Sequence, residues 1–289
     1  MRKIIRKIMA ACLLLSCTNR DKPVDKADLT GSDYRLFQGT PAWELAKAVE
    51  DGDEKKINEI VAKDPSLINY RDPKFGSTLL TLTVMNQQMK SFRILLADKA
   101  DVTIHDTYSG TSPLIEACSY PTYDRKYAEM LLEHGANVND VETGPRKEGN
   151  STRYTPLMAA SKEGNLQLVE LLVEKGANMN YQNEYKQSAL SEAVIQDKYD
   201  VVLFLLKRGA DYTLSITYNE EQKKTYYLAD ELRFSMPDIG SGDHKLKMQI
   251  VDFLKGKGID YRAIPVPEYV KKKAQEEYPN SWQEYLEKY

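Results

Sequence analysis

Residues 155–180 read Thr155-Pro156-Leu157-Met158-Ala159-Ala160-Ser161-Lys162-Glu163-Gly164-Asn165-Leu166-Gln167-Leu168-Val169-Glu170-Leu171-Leu172-Val173-Glu174-Lys175-Gly176-Ala177-Asn178-Met179-Asn180. Each part of this phrase has a physical job. The Thr155 hydroxyl can cap a first helix, with Pro156 in the first turn, where its missing N–H costs nothing. Ala160 and Ser161 are small enough to let two helices approach closely. Gly164 supplies the positive φ of the turn between the helices. Leu168, Val169, Leu171 and Leu172 give the second helix a broad apolar face, and Gly176 closes it just past the C-cap.

The phrase recurs. Positions equivalent to Thr155 are Thr78, Ser112 and Ser188, at spacings of 34, 43 and 33 residues. The second half recurs as Lys99-Ala100-Asp101-Val102, Gly135-Ala136-Asn137-Val138-Asn139 and Gly209-Ala210-Asp211-Tyr212. A unit this short cannot bury its apolar face alone, so it must stack on its neighbours.

On these residues the chain resembles the ankyrin-repeat family, whose unit is a β-turn finger followed by two antiparallel helices. The resemblance implies an all-α ankyrin-repeat solenoid of about six helix-turn-helix units with β-turn fingers. These units fall near 42–71, 72–106, 107–140, 150–182, 183–213 and 214–261, within an array of 42–261. Residues 262–289 form C-terminal capping helices. The first unit lacks a Thr-Pro opening and reads as an N-terminal cap, because a terminal unit meets water on one face.

Several positions depart from the family pattern. Its His after Thr-Pro-Leu is replaced by Thr81, Ile115, Met158 and Ser191, which implies loss of its hydrogen bond throughout. Arg153 and Lys186 stand where a turn Gly is preferred. Residues 140–153, 214–226 and 234–245 are longer than the unit needs. The first two lengthen fingers, either as binding elements or as inert loops. Near the C-terminus, Pro267-Glu268 opens one helix and Ser281-x-x-Glu284 offers a capping box for another. Trp282, Tyr285, Leu286 and Tyr289 give that last helix one apolar face, which covers the end of the stack or docks a partner.

The N-terminus carries a different signal. Arg2, Lys3, Arg6 and Lys7 precede the apolar stretch Ile8–Leu15, a secretory leader over residues 1–16 that is too short to span a membrane. Leu14-Leu15-Ser16-Cys17 resembles the lipobox of bacterial lipoproteins, which implies lipidation of Cys17 and a cell-envelope location. Thr18 in place of Asp favours the outer membrane, facing the periplasm or the surface. Residues 17–41 are polar without apolar periodicity and read as a flexible tether, with an r.m.s. span of roughly 25–30 Å. Cys118 is then the one cysteine of the mature domain that carries no lipid, so no internal disulfide forms. It is expected as a buried, unreactive thiol.

The whole chain has a net charge of −3, and removing the four basic leader residues leaves −7. This acidity is spread out, with no basic stripe, which argues against a nucleic-acid partner. The three histidines fit no metal-ligand spacing, and no phosphate loop, nucleophile elbow or zinc motif is present. The expectation is a monomeric binding protein, with no enzyme activity, metal or cofactor. An enzyme hidden in the insertions is the outside case.

The resemblance places recognition positions on the fingers and at the ends of the first helices. Carried over residue by residue, these are Lys74, Phe75, Ser77, Met85 and Asn86, then Tyr108 and Tyr120. Tyr154, Lys162 and Glu163 follow, and then Tyr185, Gln187 and Ile195. Phe75, Tyr108, Tyr120, Tyr154 and Tyr185 read as an aromatic ladder for a protein partner. Against this, 19 tyrosines would populate any surface of the chain. The partner is a protein. It is expected to be an envelope protein bound through the concave ankyrin face; the alternatives are an immunity lipoprotein that neutralises a periplasm-delivered toxin and a stabilising partner of an envelope enzyme.

Overall fold

Helices begin where a side-chain oxygen can take an orphan N–H. Thr155 Oγ1 accepts from Met158 N at 3.2 Å, Ser188 Oγ from Ser191 N at 3.2 Å, and Thr78 Oγ1 from Thr81 N at 3.4 Å. Pro156 occupies the first turn of its helix, and Gly164 ends that helix in the left-handed region at φ 74°.

The computed structural model describes residues 20–144, 153–220 and 223–289, which divide into two units. The first comprises residues 20–113 with 143–144 and carries α1 (Trp43–Asp51), α2 (Glu54–Lys63), α3 (Leu79–Met85) and α4 (Met89–Ala97). Within it α1 packs on α2 and α3, and α2 packs on α4.

The second unit begins within α5 (Pro113–Cys118). It continues through α6 (Lys126–Glu133), α7 (Pro156–Glu163), α8 (Leu166–Glu174), α9 (Ala189–Ile195) and α10 (Tyr199–Lys207). Here α7 packs on α8 and α9, and α8 packs on α10. Each pair therefore hides its apolar stripe against the next, as the all-α repeat fold requires.

The Asn-rich exits of the repeats turn out to be connectors. Asn69 Oδ1 accepts from Asp101 N at 2.8 Å, Asn139 Oδ1 from Asn178 N at 2.7 Å, and Asn180 Oδ1 from Asp211 N at 2.9 Å. One side chain thus satisfies a backbone donor one unit further on.

The sequence-based reading is corrected at four places. Hydrogen bonding is not lost throughout at the family's His position. Ser191 Oγ accepts from Ser188 N at 2.7 Å and donates to Ser188 O at 2.9 Å, and Thr81 Oγ1 lies 3.3 Å from Thr78 Oγ1. The 214–226 extension holds a hairpin, β1 (Thr217–Asn219) antiparallel to β2 (Lys224–Tyr226), which the all-α reading lacked. The Ser281 side chain makes no capping bond, its backbone lying at φ −145° and ψ 17° rather than in the extended N-cap region, and the Glu284 side chain pairs with Lys288 one turn on at 2.5 Å.

The fourth correction concerns residues 17–41, expected as a flexible tether. From Arg20 onward this segment is a strap on the first unit. Leu29, Tyr34, Leu36 and Phe37 are buried. Arg20 pairs with Glu50 at 2.9 Å and Asp51 at 2.8 Å, and Asp21 accepts from Trp43 Nε1 and Lys47 Nζ, both at 3.0 Å. The buried residues show no helical or strand period because the strap runs through two 3₁₀ turns, Lys26–Asp28 and Tyr34–Phe37. Asp25 and Asp33 cap those turns. Cys17 lies outside the described residues.

At the far end, α11 (Leu228–Leu232) and α12 (Gly242–Gly256) precede α13 (Glu268–Glu277) and α14 (Trp282–Lys288). Val270, Ala274, Tyr285 and Tyr289 form a buried cluster, with Trp282 and Leu286 packed against it. Tyr285 Oη donates to Pro237 O at 3.2 Å, and Tyr278 Oη to Asp238 at 2.9 Å, so the 234–245 insertion is fastened to these helices.

Phe37→Ala is expected to cost about 3–5 kcal/mol by chemical denaturation. A loss below about 1 kcal/mol would restore the tether reading. Lys186 holds φ 64° without the freedom of glycine. Lys186→Gly is therefore expected to stabilise the chain by about 1 kcal/mol, read as a higher denaturation midpoint.

Candidate functional site

A finger projects its backbone N–H groups with no ladder to receive them, so a side chain must do so. Asp72 Oδ1 accepts from Lys74 N at 2.9 Å and Phe75 N at 2.7 Å, while Oδ2 accepts from Ser77 N at 2.7 Å. Asp106 repeats this, accepting from Tyr108 N and Ser109 N at 2.7 Å and from Thr111 N at 2.9 Å. Asn183 Oδ1 accepts from Tyr185 N at 3.0 Å and Gln187 N at 2.9 Å. The base of the long 140–153 finger is closed by Glu142, whose N–H donates to Tyr154 O at 3.1 Å and whose Oε2 accepts from Tyr154 N at 2.9 Å. Sequence reasoning missed these anchors. Their signal was an Asp or Asn two or three residues ahead of Phe75, Tyr108 and Tyr185.

In the first unit, Phe75 and Tyr108 meet edge-to-face at 5.5 Å, and Phe75 O accepts from Thr107 N at 2.7 Å. Tyr108 is exposed and Phe75 half-buried. The strap takes up the neighbouring candidates. Lys74 Nζ donates to Ala27 O and Leu29 O, both at 2.8 Å, and Asn86 Nδ2 donates to Ser32 O at 2.8 Å. Met85 is half-buried, with Gly31 beside its methyl group. Part of the face assigned to a partner is thus occupied by the chain itself.

In the second unit, Tyr120 is 49% and Tyr185 59% exposed, and Ile195 is exposed as well. Tyr120 packs on Tyr123 at 4.8 Å. Lys162, Glu163 and Gln187 are half-buried. Tyr154 is anchored rather than free. Its Oη donates to Glu192 Oε2 at 3.0 Å, and Lys162 Nζ lies 5.2 Å from its ring. Removing Tyr154 would therefore disturb the fold as well as the surface. Burial and the charges of Glu192, Glu142 and Glu163 push its hydroxyl well above the usual phenol range, and Glu116 and Glu163 act likewise on Tyr120. These tyrosines present neutral hydroxyls in an acidic setting.

Glu192 is 3% exposed, and its Oε1 has no hydrogen-bond partner among the described residues. Burial raises its pKa, and the Tyr154 hydrogen bond and the Lys162 charge only partly offset this.

Elsewhere, Cys118 is buried and its thiol is pushed far above its ordinary value by burial. His134 Nδ1 lies 2.8 Å from Met130 O at the end of α6. Among the described residues no group of three or more His, Cys, Asp or Glu side chains is placed to hold a metal. No helix there is long and apolar enough to cross a membrane. Exposed aromatics that sequence reasoning missed are Tyr218, Tyr227, Phe234 and Tyr269.

A family model described as ankyrin repeats in three copies matches residues 45–142 and 141–216, more than half of the chain. The ankyrin repeat and KH domain-containing protein mask-1 of Caenorhabditis elegans is 28% identical over 183 residues, covering 63% of this chain and 6% of that protein. The putative ankyrin repeat protein R664 of Acanthamoeba polyphaga mimivirus is 32% identical over 83 residues, covering 29% of this chain and 49% of that protein. The ankyrin repeat and SAM domain-containing protein 6 of Rattus norvegicus is 46% identical over 66 residues, covering 22% of this chain and 8% of that protein. The chain spans less than half the length of each of these relatives.

The raised pKa of Glu192 has a consequence for stability. Below its unfolded value of about 4.5 the carboxyl is protonated in both states. As pH rises, the unfolded chain releases the proton first, so folding stability falls until the folded form has ionised. Glu192→Gln is expected to remove that decline and to be more stable than the parent at pH 7. Thermal unfolding from pH 4 to 7 checks this, and parallel pH profiles of the two proteins would refute it.

Proposed function

The chain belongs to the ankyrin-repeat family, and from that premise we propose that it is a protein-binding module held at a bacterial cell envelope by a lipid on Cys17. The observation that carries the binding reading is Tyr120 and Tyr185, large aromatic side chains left 49% and 59% exposed on elements already ordered by their own hydrogen bonds. Tyrosine buries much area on binding and gives up little conformational entropy, so such side chains are economical contacts for a partner. Ile195 adds apolar surface in the same unit. In the same unit Tyr154 is held by its hydrogen bond to Glu192.

The anchoring reading rests on Leu14-Leu15-Ser16-Cys17 following a basic and then an apolar stretch. The strap begins packing at Arg20, so a lipid at Cys17 would hold the first unit close to the bilayer. That contrasts with the long leash expected from composition. Partners within reach are envelope proteins, a delivered toxin or a resident enzyme among them.

Tyr120→Ala combined with Tyr185→Ala is expected to leave the unfolding midpoint unchanged. It should weaken the partner recovered with the tagged parent protein by about 2 kcal/mol or more, roughly thirtyfold. Equal recovery by parent and variant after cross-linking would refute the finger surface. Metabolic labelling with palmitate is expected for the parent and should vanish in Cys17→Ser. Persistent labelling of that variant would refute the anchor.

A further inference from the structure

The first helix of a repeat ends at a fixed register. Tyr120, Glu163 and Gln196 each fall eight residues past the opening Ser112, Thr155 and Ser188, so they hold equivalent places in successive repeats of the second unit. Tyr120 is exposed, Glu163 is half-buried, and Ile195 is exposed beside Gln196. The Tyr120 hydroxyl keeps its proton beyond the usual phenol range, first through the charge of Glu116, then through burial and the charge of Glu163.

Glu163 stands where its own helix disfavours it. It is the last residue of α7, where unsatisfied carbonyls already concentrate negative charge and a cation is preferred. Its carboxylate forms no ion pair or hydrogen bond among the described residues. Two cations of the chain come near, and neither pairs with it. Lys162 Nζ lies over the Tyr154 ring at 5.2 Å, and the stem of Lys198 runs against Gly164.

At Tyr154 the same sign of charge is stored deeper. Glu192 is buried, with Oε2 on the Tyr154 hydroxyl at 3.0 Å and Oε1 without a partner among the described residues. Glu192, Glu142 and Glu163 all act on that hydroxyl. Carboxylates thus outnumber cations around the two phenols. A charge that opposes its own helix and lacks a counter-ion breaks a local rule, and chains keep such breaks at functional positions.

We propose that Tyr120, Glu163 and Ile195 form a surface that takes an arginine-bearing segment of the protein partner, with the guanidinium paired to Glu163 and lying on the Tyr120 ring. This rests on the reading of the exposed tyrosines as a binding face, and it adds the chemistry of what is bound. Arginine suits the surface better than lysine, because a flat guanidinium stacks on a phenol while its N–H edge meets a carboxylate. A protein segment suits it better than a free polyamine, which would leave the apolar area of Ile195 unused.

The test titrates the full chain with acetyl-Gly-Arg-Leu-Gly-amide and with the same peptide carrying citrulline, which keeps the shape of arginine without its charge. Binding is followed by NMR of the Tyr120 ring. The arginine peptide is expected to shift that ring and to bind at least about fivefold tighter than the citrulline peptide. Glu163→Gln should erase the difference and unfold no earlier than the parent. Glu174→Gln, which removes an equal charge from the exposed end of α8, should preserve it. Equal affinity of the two peptides for the parent overturns the proposal. So does a preference that survives Glu163→Gln, which would assign it to net charge, and so does a clearly lower unfolding midpoint for that variant, which would make Glu163 part of the fold. Spermidine binding as tightly as the arginine peptide also overturns it, in favour of a free polycation. If Tyr120→Ala with Tyr185→Ala loses the partner while the two peptides bind equally, this proposal falls and the binding face stands.

Discussion

A finger that projects from a helix pair leaves its own N–H groups without a ladder, and every surface feature of the array depends on how that shortage is met. Asp72 and Asp106 meet it with a carboxylate, gathering three or more N–H groups each. Asn183 meets it with a neutral amide oxygen. Charge-assisted bonds are roughly twice as strong as neutral ones, so the two Asp fingers are held more firmly. The Asn183 finger also forces Lys186 into the left-handed region. It is the softest of the three, and it carries Tyr185, the most exposed of the candidate tyrosines. Adaptability and exposure thus coincide on one loop.

The N-terminal strap and the C-terminal helices solve the opposite problem, that of covering apolar surface at the edge of a unit. At the N-terminal end the strap does this with Leu36 and Phe37, and its carbonyls also engage Lys74 and Asn86. At the C-terminal end α13 and α14 do it with a stack of tyrosines, Tyr278 on Tyr285 at 4.4 Å and Tyr285 on Tyr289 at 5.7 Å. Covering an end therefore takes surface away from recognition at one end. At the other it buries Arg233 and Lys247 against the Tyr261 and Tyr289 rings.

The helical array was legible because its signals recur and each has a local cause. Thr155 and Ser188 cap, Gly164 turns, and Leu168 and Leu172 repeat with the helical period. The strap was illegible because 3₁₀ turns carry no such period, so Leu29, Leu36 and Phe37 look like isolated apolar residues in a polar stretch. The finger anchors escaped because a single Asp or Asn is a weak signal until the backbone folds over it. Among the site residues, exposure of Tyr108, Tyr120 and Tyr185 followed from their register in the unit. The fixing of Tyr154 did not, because it depends on Glu192, 38 residues away and in the next unit. Lys247 lies within α12 and Arg233 just past the end of α11, and tertiary packing buries both.

Those buried charges also bear on specificity. Around Tyr154 the second unit sets Glu192 and Glu163 behind neutral phenols, an environment that favours a cation. A long-range field from a net charge would select weakly and be screened by salt, whereas buried charges act at short range and are screened little. A partner that satisfied one surface with the wrong sign would leave a desolvated charge unpaired, a penalty larger than the gain from a well-placed ion pair. A buried charge of one sign therefore discriminates more sharply than a diffuse net charge, and it does so without any change in the repeats that carry it.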